Sequence, residues 1–168
     1  ARYVALQPHY NLVERAEYEG ELQELCQREN IGCMPYFGVA RGFLTGKYRP
    51  GAEEVDSPRA PRAAQYLERG GEAMLAVLDD VSAAHGGVPL AAVALAWLAA
   101  QPGVVAPIAS ARNVEQLQAL LPMAQLELSG GELEQLDSTS PQLRPGAGFR
   151  SGGWPASGYR SRSGAPSG

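Results

Sequence analysis

The sequence predicts an α/β protein on three observations. Short buried runs that read as strands alternate with segments of helical period, a proline-rich loop follows the second such run, and capping signals precede the last two helical segments. RYVALQ (residues 2–7) mixes β-branched and aromatic residues and predicts a short buried strand. EYEGELQELCQREN then sets Leu22, Leu25 and Cys26 at helical spacing with charges opposite, and IGCMPY (31–36) predicts a second buried strand. Strand, helix and strand within about 36 residues make a βαβ unit with parallel pairing.

Residues 49–62 hold Pro50, Pro58 and Pro61 among several charges and predict a loop; long loops after a parallel strand are commonly functional. Residues 63–87 have helical period through Met74, Leu75, Leu78 and Val81, a break at Gly70 and Gly71, and an end at His85 beside Gly86 and Gly87. VPLAAVALAWLAAQPG (88–103) carries proline in its first turn and stops on Pro102-Gly103, as a helix does. VVAPIA (104–109) predicts a third strand. Asn113 with Gln116, and Ser129 with Glu132, have the capping-box spacing, so two helices follow. The predicted order is β, α, β, long loop, α, α, β, α, α.

A chain of 168 residues with 45% hydrophobic residues buries enough for one domain. Its formal charge of −4 disfavours a general nucleic-acid or anionic-membrane binder, which needs a basic face. Cys26 and Cys33 have no metal-site spacing and are expected to be buried and reduced. The longest apolar run is broken by Pro102 and Gly103, so no membrane helix is expected, and the lack of a signal peptide predicts a cytoplasmic protein. Ala1 stands directly before a strand-like run, as in a chain whose start is missing.

From Ser140 onward glycine, serine and proline dominate, with four arginines and no acidic residue. Residues 140–168 are therefore expected to be a disordered tail, and residues 1–139 to be the folded part. The tail carries +4, which leaves −8 on the folded part. Its arginines interleave with Phe149, Trp154 and Tyr159 as in RNA-binding tails, yet no RGG repeat is present and nucleic-acid contact is not expected.

Parallel α/β folds keep their sites at the carboxyl ends of the strands, here Gln7, Tyr36 and the SARN segment. A strand-end glutamine can pair with a primary carboxamide, and a tyrosine offers a flat face to an aromatic ring. Gly38 and Gly42 let the backbone approach a phosphate, with Arg41 and Lys47 adding positive charge. Ser110 and Arg112 precede a helix start that favours a second anion. Each residue alone reads as an ordinary strand end, core ring or solvated charge, and no G-x-G-x-x-G, Walker loop, G-x-S-x-G or H-E-x-x-H is present. The signal is their order.

VALQPHYNLVER, IGCMPYFGVARGFLTGKYR and ALAWLAAQPGVVAPIASARNVEQLQAL, in that order over about residues 2 to 137, resemble the aldo-keto reductases, in the branch of aryl-alcohol dehydrogenase-like enzymes and potassium-channel β subunits. The resemblance implies the C-terminal portion of a (β/α)8 TIM barrel, about three of eight strands, that binds NADPH and reduces a small-molecule carbonyl. It implies that Gln7 contacts the nicotinamide carboxamide and that Tyr36 stacks under the nicotinamide ring. It assigns Phe37, Gly38, Val39, Arg41 and Gly42, with Lys47, to the pyrophosphate loop. Ser110, Arg112, Asn113 and Gln116 fall in the segment around the adenosine 2′-phosphate, with Arg112 the partner of that dianion.

Two departures stand out. YFGV replaces Tyr-Ser-Pro-Leu, so Phe37 stands where a serine hydroxyl is expected, and Ala119 and Leu120 replace Glu-Asn at the adenosine end. The family's proton-delivering tyrosine, lysine, aspartate and histidine lie before the first residue of this chain, and no residue here takes their roles. His9 lies in the strand-end motif QPHYN and is not the family's acid. An incomplete barrel exposes two sheet edges, which predicts self-association or pairing with a complementary chain; a non-catalytic remnant is the alternative to a reductase.

Overall fold

The computed structural model describes residues 2–50 and 60–140. Strand β1 (Ala5–Leu6), helix α1 (Glu21–Arg28) and strand β2 (Gly32–Cys33) form the expected βαβ unit, with Ala5 opposite Gly32 and Leu6 opposite Cys33 in parallel. The strand-like runs are longer in sequence than in the ladder. Pro8, Pro35 and Pro107 have no N–H to give, so pairing continues as separate bonds: Met34 N donates to the Leu6 carbonyl (2.8 Å), Tyr36 N to Pro8 (3.0 Å), and Ile108 N to Pro35 (2.8 Å). The VVAPIA run joins as a single parallel bridge, Cys33 to Val104, on the other side of β2. Three parallel segments therefore lie side by side with β2 in the middle.

Helices α2 (Ala60–Glu68), α3 (Gly71–Ala84), α4 (Leu90–Ala99), α5 (Val114–Leu120) and α6 (Gly130–Thr139) complete the predicted order. The loop expected over residues 49–62 differs at its end, where Ala60 to Arg62 already belong to α2; residues 51–59 lie outside the described residues. Gly70 is left-handed (φ 86°) and separates α2 from α3 as expected. The break is also steric: a Cβ on Gly71 would stand 2.5 Å from Phe43 Cζ and 2.6 Å from the Tyr66 carbonyl. Pro89 sits at the N-cap of α4, one position before its first turn. Ala91 to Leu98 are all buried, so α4 is the central helix.

Trp97 is fully buried among Tyr10, Tyr18, Leu98 and the other core side chains. Its Nε1 donates to Asp137 Oδ1 (3.1 Å), and Arg15 bonds the same oxygen (2.9 Å) and Glu19 Oε1 (2.6 Å), which also accepts from Tyr10 Oη (2.7 Å). One guanidinium thus ties the β1–α1 connection to α6 across the face of the Trp97 ring. Ser129 caps α6 with the full reciprocal box to Glu132. Ser140, expected to open the tail, is buried and donates its hydroxyl to the Leu12 carbonyl, so the folded part includes it; residues 141–168 lie outside the described residues. Cys26 and Cys33 are buried and free, and burial raises both thiols. No helix among the described residues is long and apolar enough to cross a membrane, and no group of three His, Cys, Asp or Glu among them could hold a metal.

Candidate functional site

The carboxyl ends of the parallel segments open onto a cleft built from two adjoining cavities. The smaller, of about 160 Å³, is lined by Tyr36, Phe37, Gly38, Val39, Arg41, Ile108, Ala109 and Ser110. The larger, of about 510 Å³, includes Val39, Arg41, Gly42, Thr45, Lys47, Ser110, Arg112, Gln116, Ala119 and Leu120, with Val88 to Ala91 and Asp79 opposite. Val39, Arg41 and Ser110 border both, so the two form one trough with Tyr36 at one end and α5 at the other. The combined size is that of a small-molecule or cofactor site.

The loop along its floor, Ala40–Thr45, is a pair of short 3-10 turns joined at a kink where Arg41 and Gly42 leave helical φ/ψ, and sequence periodicity did not predict it. Phe37, Ala40 and Arg41 are left-handed, with φ of 57°, 48° and 59°, a conformation that non-glycine residues adopt only when their surroundings impose it. Asn11 is part of the imposition. It is fully buried, its Nδ2 donates to the Phe37 carbonyl (3.0 Å), and its Oδ1 accepts from Val13 N and Glu14 N (3.0 Å each). The sequence signal for Asn11 is a short amide side chain inside the apolar run PHYNLV, since a buried amide there must find partners.

Both glycines line the trough and also have local structural roles. A Cβ on Gly38 would come within 2.7 Å of Leu95 Cδ2 and 3.1 Å of Leu98 Cδ2, so Gly38 serves the packing of the loop on α4. Gly42 is left-handed (φ 96°) and its N–H donates to the Val39 carbonyl (2.9 Å); a Cβ there would meet Lys47 Cε and Nζ at 3.1 and 3.2 Å. The Lys47 side chain therefore lies across Gly42 at the trough wall, 5.0 Å from the Tyr48 ring centroid. Arg49 Nη2 pairs with Asp79 Oδ2 at 2.7 Å and fastens the end of this loop to α3.

At the α5 end, Asn113 is the N-cap and its Oδ1 accepts from Gln116 N (2.9 Å). In return Gln116 Oε1 accepts from the Arg112 N–H (2.9 Å), one residue before the cap, and the exposed Arg112 side chain stands at the trough edge. Gln7 follows β1 and is exposed at the strand end, but it borders neither cavity. At the other end, Tyr36 stacks on His9 with centroids 5.3 Å apart and planes 19° apart. Arg41 Cζ lies 4.0 Å from the Phe37 ring centroid, so the phenylalanine that replaces a serine hydroxyl carries a guanidinium on its face. Of the twelve sequence-expected residues, Tyr36 to Val39, Arg41, Gly42, Lys47, Ser110, Arg112 and Gln116 meet in this trough, while Asn113 acts behind it as a cap.

By fold and by cleft this is an α/β protein with a trough at the carboxyl ends of its parallel segments. It belongs to the aldo/keto reductase family, whose model matches residues 1–141. It is 32% identical over 139 residues to the aldo-keto reductase AMT2 of Alternaria alternata, covering 81% of this chain and 36% of that protein. Protein tas of Escherichia coli is 30% identical over 139 residues (82% and 40%), and a probable voltage-gated potassium channel subunit beta of Arabidopsis thaliana is 35% identical over 121 residues (67% and 35%). The crystal structure of a thermostable aldo-keto reductase in complex with the inhibitor epalrestat matches with a TM-score of 0.55 at 27% identity, over 81% of this chain and 39% of that one. The likeness supports a TIM-barrel lineage for the fold. The chain spans well under half the length of these relatives.

Proposed function

We propose that this chain supplies the NADPH-binding part of an aldo-keto reductase, its three parallel segments forming part of an eight-stranded barrel. The observation that carries the proposal is the order of the lining: two adjoining cavities that share Val39, Arg41 and Ser110 present the Tyr36 ring, then Arg41 and Lys47, then Arg112 and Gln116, an order that suits a flat ring, a diphosphate and a phosphorylated ribose in turn. Bound there, NADPH supplies the hydride that passes to a carbonyl carbon. This chain's residues bind and orient, and none of them is assigned to delivering the proton to the carbonyl oxygen. Titrate the full chain with NADPH and NADH by nicotinamide fluorescence. Arg112→Ala should weaken NADPH about tenfold or more, the loss of a charge-assisted contact, and NADH less than about twofold. Equal loss for both refutes the 2′-phosphate role.

A second reading, a chain that pairs with a complementary chain and performs no chemistry alone, is favoured by one observation. Tyr3 and Val4 are 84% and 75% exposed on the first parallel segment and Val105 is 65% exposed on the third, so both outer segments carry uncovered apolar side chains among the described residues. Sedimentation velocity separates the two: turnover of an aromatic aldehyde by a monomeric chain refutes the second reading.

A further inference from the structure

His9 is 5% exposed and borders neither cavity of the trough, yet its ring lies 5.3 Å from that of Tyr36 at 19°, an offset stack. The two residues face each other by construction. They form a parallel bridge, with Tyr36 N donating to the Pro8 carbonyl at 3.0 Å, so the backbone that starts the trough also sets the rings in register. Phe37 closes the cluster edge-on, 5.6 Å and 77° from His9 and 5.0 Å and 62° from Tyr36. Asn11 Nδ2 lies 3.5 Å from His9 Nε2 while it holds the Phe37 carbonyl, which links the imidazole to the left-handed turn. Tyr36 itself is 38% exposed and borders the smaller cavity. A ring on two side-chain torsions at the mouth of a cleft samples several orientations unless something flat lies behind it.

We infer that His9 is a positioning residue: its buried imidazole fixes the plane of Tyr36, so that the exposed part of the tyrosine ring is presented to the flat heteroaromatic end of a dinucleotide. The inference rests on the cofactor role proposed above and deepens it. His9 touches no ligand, and its effect is confined to the part of a ligand that meets Tyr36.

The confinement is the test. Adenosine 2′,5′-bisphosphate shares the phosphorylated adenosine of NADPH and lacks the nicotinamide. Both are titrated into the full chain and into His9→Leu and His9→Phe variants, each checked for native circular dichroism. Leucine fills the space without a flat face, and phenylalanine restores the face. His9→Leu should weaken NADPH about fivefold, the size of a lost aromatic pair, and the bisphosphate less than about twofold, while His9→Phe should stay within about twofold of the unsubstituted chain for both. In a Tyr36→Ala background His9→Leu should have no further effect. The inference is overturned if His9→Leu weakens both ligands equally, if it leaves NADPH unchanged, or if phenylalanine fares no better than leucine. Failure of the unsubstituted chain to bind either ligand overturns the cofactor role itself, and this inference with it; binding with the wrong pattern among variants overturns the inference alone.

Discussion

Helices α4 and α5 border the same trough and are held by opposite means. Ala91 to Leu98 of α4 are buried on every side, so its position is dictated by core packing. No residue of α5 is buried, and Val114 and Leu117 face outward; its start is fixed instead by the Asn113 cap and the Gln116 to Arg112 bond. One wall of the cleft is thus a by-product of the core and the other rests on a few terminal hydrogen bonds. Damage to the first should appear as lost global stability, damage to the second as local loosening with little change in stability.

The comparison breaks most severely at Trp97. Trp97→Ala removes the ring that α4 packs into the core and leaves Asp137 without its indole donor, which should cost about 3–5 kcal/mol of unfolding free energy in a denaturant titration. Next, Gly71→Ala forces a methyl against Phe43 and the Tyr66 carbonyl and should cost about 1–3 kcal/mol; because Phe43 belongs to the turn on the trough floor, ligand affinity should fall with it. On the other wall, Asn113→Ala should cost about 1 kcal/mol or less globally, yet speed amide exchange in the first turn of α5 severalfold.

The smallest effect is acidification. Burial holds the His9 imidazole below its ordinary value of 6.5, opposed by Glu14 and Glu17 and aided by Arg41. The unfolded chain therefore takes up this proton at higher pH than the folded one, and stability falls as pH drops below about 6.5. His9→Phe should flatten that slope between about pH 6.5 and 5. Glu132, held low by the Ser129 N–H and hydroxyl and by His85, acts in a lower window, losing its contribution as pH falls below its ordinary 4.5.

What the sequence discloses divides along the same line. Helices with a period, a cap or a glycine stop were legible because those signals are local: Gly70 at its break, Ser129 at its box, His85 at its end. Strand lengths were not, because apolar runs say nothing about which N–H groups exist to continue a ladder, and Pro8, Pro35 and Pro107 interrupt it. The left-handed Phe37, Ala40 and Arg41 were illegible for a stronger reason. At Phe37 the turn is held from a distant part of the chain, by Asn11 on the first segment, and no local propensity records that. The trough's composition was readable from ordered motifs, whereas its aromatic support was not: the His9 and Tyr36 rings meet only through the parallel register.

The bond between His85 Nε2 and Glu132 Oε1 (2.8 Å) joins the C-cap of α3 to the first turn of α6. Topologically it lies at the neck of a loop: everything between positions 85 and 132, including α4, the third parallel segment and α5, leaves from and returns to this pair, which adds a polar tie to the core contact of Leu78 and Val81 with Leu136. Closing that length of chain has an entropic cost that grows only with the logarithm of its size, so a long excursion that carries one wall of the cleft is tolerated at little more cost than a short one.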